Sequence, residues 1–331
     1  MEQEMNSKQP LLSICIPTWN RAKYLEISLK RIRNQISSIE DGLLEIFVSD
    51  NCSSDATEDV VKRLIIDGMP INYNRNPENL GMDRNFLQCI QHATGKYIML
   101  VGDDDVFKDG SIAYLLHVLS QGDFGMLNVA AVKGREEMEV YSNPTDFLKR
   151  VSYWTTFISA NIFRSDIVNT ISNPEHYFQS YFLHIPYYIK AVNAHTQNVV
   201  VNKDVFNSGL DAKSNGGYNL YKVFVESFLG LLREHVDSNE LSISSFEYIK
   251  KDLYVNFLVF YNYRLLCRRK GVRKIDKSEK GRGGFAIDNA WGILFHYYGG
   301  YWYFYYSLLL LPYLGLKDVV KYGLKCIGLR K

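Results

Sequence analysis

The chain has 331 residues, of which 47% are hydrophobic, and a formal net charge of +2. This length suits one large globular unit or a catalytic domain with an appendage, and the near-neutral charge argues against a protein that mainly holds nucleic acid. The cysteines are odd in number, scattered and never spaced as CxxC, which excludes a regular disulfide framework or zinc site and favours a reducing compartment (Cys15, Cys52, Cys89, Cys267 and Cys326).

The first 125 residues alternate between short β-rich runs and helical patterns. Strands are predicted at residues 11–17, 44–48, 71–73 and 97–101. Helices are predicted after the first three of them, because apolar residues recur three and four positions apart, as at Leu25, Leu29 and Ile32. This alternation predicts right-handed βαβ units, and therefore an α/β fold whose mainly parallel sheet is flanked by helices.

The second half of the chain follows a different pattern. Residues 124–132 predict one more strand, and residues 153–163 are apolar and aromatic with polar interruptions. From Tyr218 onward the spacing of Phe224, Phe228, Leu231 and Leu232 predicts helices, and residues 267–282 carry eight Lys/Arg against two acidic residues. The sequence therefore predicts an α/β domain at residues 8–210, followed by a helical, partly amphipathic region at residues 211–331.

Polar residues follow three of the predicted strands at the point where each strand ends. They lie between Thr18 and Arg21, between Ser49 and Asp55, and between Gly102 and Asp105. In an open α/β sheet the carboxyl ends of the strands converge on the ligand crevice. The three groups are therefore predicted to form one site.

The acidic run Asp103, Asp104 and Asp105 is the strongest chemical feature of this site. Three adjacent carboxylates repel one another, and a hard divalent cation relieves that repulsion. Mg²⁺ or Mn²⁺ typically binds through one or two carboxylates plus substrate phosphate oxygens, and it stabilises the charge of a departing diphosphate. The alternative is a solvated acidic turn or helix cap, which the run taken alone favours.

The motifs taken together resemble family 2 glycosyltransferases, in order and at the family's spacing. They are ICIPTWNR (14–21), VSDNCSSD (48–55), NLG (79–81) and YIMLVGDDD (97–105), and NPENLGMDRNFL (76–87) is similar to the abequosyltransferase-like branch. The resemblance covers about a third of the chain. It implies a GT-A fold, a nucleotide-diphosphate sugar donor, inversion at the anomeric carbon, and a polyprenyl-diphosphate-linked oligosaccharide acceptor in bacterial surface polysaccharide synthesis. The branch leaves a deoxy or dideoxy sugar as an option.

The resemblance also implies roles for residues that bind the donor. Pro17, Thr18 and Arg21 would line the pocket for the base and ribose. Asp50 would accept a hydrogen bond from the nucleobase, and its alternative is a carboxylate that caps the following helix. Arg84 would reach the diphosphate, since Arg suits phosphate oxygens, and its alternative is a surface salt bridge.

Within the acidic run, the resemblance implies Asp104 as the ligand of Mn²⁺ or Mg²⁺ and Asp103 as a neighbour of the ribose hydroxyls. The family's DxD motif would begin at Gly102, where this chain has no carboxylate. A neighbouring carboxylate has to take over, and Asp105 is the candidate for a catalytic role.

The catalytic base is harder to assign. An inverting enzyme needs a group that takes the proton of the acceptor hydroxyl. Many family members place a Glu-Asp pair at the start of a later helix, but the matching residues 180–188 contain none. His184 is the titratable group there and is the predicted base, with an ordinary pKa of about 6.5. The alternative is a packed core histidine, and Glu175 and His176 are reserve candidates.

The apolar C-terminal segment allows two interpretations. Residues 301–316 are aromatic and Leu-rich, fall short of the ~20 residues of a spanning helix and contain Pro312. With the basic residues around them they predict an interfacial anchor on an anionic membrane surface, whereas the alternative is a buried helix with a basic tail. The polar first ten residues lack the apolar core of a secretory signal, so the expected location is the cytoplasmic face of the bacterial cytoplasmic membrane.

Two other functions stay open at this stage. A sugar nucleotidyltransferase would share the sheet and the carboxylates, but it is expected to carry a glycine-rich loop, whereas residues 17–21 contain no glycine. A catalytically inactive scaffold of the polysaccharide assembly machinery is favoured by Gly102 and by the missing Glu-Asp pair, and Asp50 and Asp104 weigh against it.

Overall fold

The computed structural model describes residues 9–129, 136–207, 218–263, 286 and 288–313. The chain divides into two compact units, one comprising residues up to 211 together with 237–242, the other residues 212–236 and 243 onwards. The predicted domain boundary at about residue 210 stays a prediction, because residues 208–217 lie outside the described part of the chain.

The described part of the first unit alternates strands and helices through most of its length. Its strands are β1 (Leu12–Thr18), β2 (Leu44–Asp50), β3 (Ile71–Arg75), β4 (Tyr97–Leu100), β5 (Val106–Phe107), β6 (Met126–Val129), β7 (Met138–Tyr141), β8 (Asn161–Arg164), β9 (Asn198–Val201) and β10 (Phe206–Asn207). Its helices are α1 (Ala22–Ile36), α2 (Thr57–Ile66), α3 (Met82–His92), α4 (Ser111–Ser120), α5 (Pro144–Val151) and α6 (His184–Ala194).

The main sheet has the strand order β3-β2-β1-β4-β8-β6-β9-β7. Its first four strands are parallel, and β8 joins β4 and β6 in antiparallel orientation. The predicted α/β class with a mainly parallel sheet is therefore confirmed. The strand predicted at residues 124–132 is described only at Met126–Val129, and the apolar segment 153–163 forms short 3₁₀ turns before β8.

The centre of this sheet is buried on both faces, which explains the apolar run of the first strand. Leu12, Ile14 and Ile16 are fully buried in one cluster with Leu25 and Leu29 of α1. Because helices cover a parallel sheet on both sides, its strands are apolar without alternation. This packing fixes the carboxyl ends of β1, β2 and β4 at one edge, where β1 and β2 are in register at Thr18 and Asp50.

A charged network stabilises the other end of the sheet. Arg150 of α5 makes two hydrogen bonds to Glu139 of β7, at 2.9 and 3.2 Å. Tyr141 and Asn202 donate to the same carboxylate, each at 2.7 Å. The hydrogen bond from Arg150 is the main reason why the pKa of Glu139 is lowered to about 2.

We expect Glu139→Gln to lower the free energy of unfolding by about 1 kcal/mol at neutral pH, since the paired carboxylate is only partly shielded from water. The folded-state pKa of about 2 lies below the unfolded value of about 4.3, so the contribution of Glu139 is present above the unfolded pKa and is lost as the pH falls towards 2. Urea unfolding of parent and variant at pH 7 and pH 3 measures this. An equal difference at the two pH values would contradict it.

The second unit is helical wherever it is described. It contains a π-helical segment (Lys222–Ser227), most of α7 (Phe228–Asp237) and α8 (Ile243–Asp252). These are followed by a second π-helical segment (Leu253–Leu258), α9 (Val259–Tyr261), α10 (Ala290–Tyr298) and helical residues 302–313. Tyr254 lies in its core, 4.5 Å from the ring of Tyr298, and its hydroxyl is 2.7 Å from Ser307.

The predicted helical C-terminal region is therefore confirmed for these residues. The basic run at 267–282 lies outside the described residues. Within the described parts of the chain, no helix is both long and apolar enough to cross a membrane.

Candidate active site at the strand ends

The acidic run lies directly after β4, facing the end of β1. Thr18, the last residue of β1, donates from its hydroxyl to Asp103 at 2.8 Å. Arg21 lies between two carboxylates, with Nε 2.8 Å from Asp103 and Nη2 2.6 Å from Asp104. The predicted convergence of the first and third polar groups is therefore seen in the structure.

Asp103 and Asp104 differ in how far their carboxylates are exposed to solvent. The side chain of Asp103 is only 8% exposed, and burial raises its pKa to about 6 although Arg21 and Thr18 oppose the shift. The side chain of Asp104 is 32% exposed, although one of its oxygens contacts Arg21. Asp103 is thus a fixed part of the wall, whereas Asp104 is open to a ligand.

Asp105 is held by a residue that sequence reasoning did not identify. The hydroxyl of Ser159 donates to Asp105 at 2.5 Å and accepts a hydrogen bond from the backbone N–H of Gly102 at 2.9 Å. Burial is the main cause that raises the pKa of Asp105 to about 6. Ser159 is fully buried in the short turn before β8, so it ties the acidic run to a neighbouring strand.

Gly102 leaves room for this arrangement. A Cβ atom at residue 102 would lie 2.8 Å from a carboxylate oxygen of Asp105 and 3.3 Å from one of Asp104. The carboxylate of Asp105 therefore lies against the position from which a side chain at residue 102 would project. A side chain at residue 102, as the DxD pattern requires, would collide with the carboxylate of Asp105 in its present position.

Asp50, at the end of β2, is fully buried and already hydrogen-bonded. It accepts from the backbone N–H of Ser53 at 2.9 Å and from the hydroxyl of Tyr73 at 2.8 Å. Arg75 lies 3.6 Å from the same carboxylate. Asp50 therefore organises the turn after β2, but it is not the helix cap named as its alternative, since α2 begins at Thr57 and the backbone N–H of Thr57 donates to Asp55 instead. The role of Asp50 towards a nucleobase stays a prediction.

The loop after β3 is fixed by a network of asparagines that was not predicted. Asn76 donates to Asn51 at 3.2 Å and to Asn85 at 3.1 Å, and Asn51 donates to Asn79 at 2.8 Å. Ser49 joins the network through Asn85 at 2.7 Å. The density of Asn in residues 72–85 is the sequence signal that could have revealed it, because buried amides require partners.

Arg84 pairs with a carboxylate outside the acidic run. It forms a salt bridge with Glu175 at 3.0 Å and stacks over the ring of Phe178 at 4.9 Å. Arg84 and Glu175 border an open groove of about 430 Å³, whose lining also includes Gln88 and Asn173. The salt bridge with Glu175 agrees with the alternative given for Arg84. The role of Arg84 towards phosphate stays a prediction.

His184 is placed poorly for the role predicted from the sequence. It begins α6 with only 2% of its surface exposed, and its ring packs 5.1 Å from the ring of Tyr188. Burial lowers the pKa of His184 to about 3. A base must come within hydrogen-bond reach of the acceptor hydroxyl, so this burial counts against His184 and agrees with the packed-histidine alternative.

The residues present fit a divalent cation that is shared with a substrate. Among the described residues, no group of three or more His, Cys, Asp or Glu side chains converges on a common point. Mg²⁺ or Mn²⁺ bound through a substrate diphosphate needs only one or two protein carboxylates, however, and these supply the hard oxygen donors that both ions prefer. Asp104, whose side chain is 32% exposed, fits that description.

The chain belongs to glycosyl transferase family 2, because the model of that family matches residues 13–183. It is 44% identical over 115 residues to the abequosyltransferase RfbV of Salmonella typhimurium, a match that covers 34% of each chain. It is 36% identical over 115 residues to the GalNAc(5)-diNAcBac-PP-undecaprenol beta-1,3-glucosyltransferase of Campylobacter jejuni, covering 34% of this chain and 36% of the relative. The predicted family resemblance is confirmed, and the matches span about a third of the length of these relatives.

Solved structures show the same fold. TarS of S. aureus in complex with UDP superposes with a TM-score of 0.56 at 16% identity, covering 80% of this chain and 77% of TarS. The mannosyltransferase PcManGT from Pyrobaculum calidifontis, in complex with GDP-Man and Mn²⁺, superposes with a TM-score of 0.50 at 14% identity, covering 81% and 84%. The GT-A fold predicted from the sequence is therefore confirmed.

Proposed function

We propose that this protein is a glycosyltransferase that moves a sugar from a nucleotide-diphosphate donor to a hydroxyl of a lipid-linked oligosaccharide, with inversion at the anomeric carbon, in bacterial surface polysaccharide synthesis. The observation that carries the proposal is the cluster of Thr18, Arg21, Asp103 and Asp104 at the carboxyl ends of β1 and β4. In an open α/β sheet that edge holds the ligand.

The complexes of the two structural neighbours support the choice of donor and cation. TarS binds UDP, and PcManGT binds GDP-Man with Mn²⁺. In this chain Asp104 would hold the divalent ion, which supplies Lewis-acid stabilisation of the leaving diphosphate. Asp103, fixed by Thr18 and Arg21, lines the wall beside it and is proposed to face the ribose hydroxyls.

The transfer itself needs an acceptor oxygen that attacks the anomeric carbon while the bond to the diphosphate breaks. The proton of that hydroxyl has to go to a base. We assign this role to Asp105 rather than His184, because Asp105 is part of the acidic run and is oriented by Ser159, whereas the ring of His184 is buried. Arg21 contributes positive charge beside the carboxylates, and so lowers their mutual repulsion.

The acceptor is proposed from the relatives. An abequosyltransferase at 44% identity and a glucosyltransferase named for an undecaprenol-linked substrate each match about a third of the chain. The name of the glucosyltransferase supports a sugar acceptor carried on a polyprenyl diphosphate. The protein is therefore proposed to work at the inner face of the bacterial cytoplasmic membrane, and a deoxy or dideoxy hexose is the proposed sugar class.

Thermal unfolding of the parent with UDP, CDP, GDP or dTDP, each with Mn²⁺ or with EDTA, tests the donor site. A ligand that binds only the folded state at about 100 times its Kd adds about 2.7 kcal/mol of stability. We expect one nucleotide to raise the melting temperature with Mn²⁺ and to lose that effect with EDTA. If a folded parent responds to none of them, the donor site is wrong and the scaffold function takes its place. The corresponding nucleoside triphosphates are measured alongside, and stabilisation by triphosphates alone would point to a nucleotidyltransferase.

A further inference from the structure

One face of the helical residues 302–313 exposes large apolar side chains. Trp302, Tyr306, Leu309 and Tyr313, here called the aromatic face, are 69%, 55%, 75% and 61% exposed. They are four, three and four positions apart, which places them on the same side of the helix. The opposite side supplies the core of the second unit, where Phe304 is fully buried.

The aromatic face is unusual for a surface in contact with water. Residues 301–316 contain no charged side chain, whereas the outward side of an amphipathic surface helix is normally polar or charged. Single exposed apolar residues need no explanation, but a contiguous row marks a surface that another apolar phase covers. The row is not needed for the core, because the other side of the helix already provides it.

The surroundings of the aromatic face are basic. The ammonium group of the exposed Lys251 lies 5.5 Å from the ring centroid of Trp302. The sequence that follows the helix, residues 317–331, carries five Lys/Arg against the single acidic residue Asp318. Trp and Tyr with flanking Lys is the composition of helices that lie in the headgroup region of an anionic bilayer.

The same charges disfavour a second copy of the chain as the covering partner. Pairing two aromatic faces would offer Lys251 no counter-charge from the facing helix, because residues 301–316 contain no carboxylate. An anionic lipid surface, by contrast, satisfies the lysine and the apolar side chains at once. The apolar residues 301–316 fall short of the ~20 residues of a spanning helix, so the helix is proposed to lie in the interface rather than cross it.

We propose that the aromatic face inserts into the headgroup region of an anionic lipid bilayer, with Lys251 reaching the lipid phosphates. The proposal rests on the proposed function only in that a lipid-linked acceptor gives membrane contact a purpose. Binding of vesicles requires neither a donor nor transfer, so the two ideas fail separately.

Sedimentation of the full chain with vesicles tests the proposal. The vesicles contain equal parts of phosphatidylglycerol and phosphatidylcholine, or phosphatidylcholine alone. We expect the parent to bind the anionic vesicles more tightly, and the triple variant Trp302→Ser, Tyr306→Ser, Leu309→Ser to lose about tenfold or more in affinity. Lys251→Glu should lose about fivefold or more on anionic vesicles and little on neutral ones.

Ile66→Ser is the matched control, because Ile66 is 84% exposed in the first unit, far along the sequence from the aromatic face. It should bind vesicles like the parent. Leu309→Asp alone replaces the triple variant if circular dichroism shows that the latter is unfolded. Parent-like binding by a folded variant, or a parent that binds neither vesicle, overturns the proposal. So does a parent dimer that the triple variant converts to a monomer, since a second copy then covers the face.

Discussion

Asp104→Asn is expected to lower sugar transfer by about 10²–10³-fold while the protein stays folded. This is the size of effect that follows the loss of one group that stabilises the charge developing in a transition state. The side chain of Asp104 is 32% exposed, and Asn keeps its shape without its charge. Transfer is measured as metal-dependent release of the nucleoside diphosphate from the donor in the presence of the acceptor.

Asp109→Asn provides the control for this substitution. Asp109 lies in the loop before α4 with an 80% exposed side chain, and it also pairs with an arginine, Arg31, at 2.8 Å. Exposed pairs of this kind contribute little, so the control should keep transfer near the parent rate. If Asp104→Asn also kept the parent rate, or if both variants lost activity equally, Asp104 would have no special part in transfer and the assignment of the metal ligand would fail.

Nucleotide binding gives a second readout for the same pair of variants. A metal-bridged diphosphate should stabilise the parent and Asp109→Asn but not Asp104→Asn, because the bridge needs the protein ligand. A variant that still gains stability from nucleotide with Mn²⁺, but transfers no sugar, would place Asp104 in the reaction step instead of the metal site.

The parts of the fold that the sequence predicted well are those in which periodicity and burial coincide. The strands of the parallel half are apolar because both sheet faces are covered, and the helical spacing of α1 is regular. The antiparallel strand β8 was not predicted. Its four residues follow 3₁₀ turns inside an aromatic segment, where no alternation distinguishes a strand from a turn.

The sequence predicted those parts of the site whose residues lie at the ends of the parallel strands. Thr18, Arg21 and Asp103 come together because parallel strands bring their ends to one edge. Ser159 could not be predicted, since it lies 54 residues from Asp105 and no motif marks it. The burial of His184 could not be predicted from the sequence, because the extent to which a ring is buried depends on packing between elements that are distant in sequence.

Arg21→Ala is expected to lower the free energy of unfolding by about 2 kcal/mol, which is less than the 3–5 kcal/mol typical of fully buried pairs because Arg21 is partly exposed. The variant leaves Asp103 buried beside Asp104 with only Thr18 as a partner. Arg21→Lys should lose about half as much, since a single ammonium group cannot contact both carboxylates in the way the guanidinium does. Urea unfolding in EDTA measures all three proteins.

Arg31→Ala is the matched control, because Arg31 lies in α1, the helix that begins directly after Arg21, and both partners of its pair with Asp109 are exposed. It should cost less than about 0.5 kcal/mol. Equal losses at residues 21 and 31 would mean that solvent screens the Arg21 pair as well, and would contradict the fixed role of Asp103.

Manganese distinguishes an electrostatic role of Arg21 from simple packing against Tyr24, whose ring it covers at 4.6 Å. If Arg21 and a divalent ion both relieve the repulsion between Asp103 and Asp104, Mn²⁺ should raise the stability of Arg21→Ala more than that of the parent. A packing loss would leave the two responses equal. A larger response in the variant would therefore show that the arginine and the cation act on the same pair of carboxylates, as the proposed metal-bound donor requires.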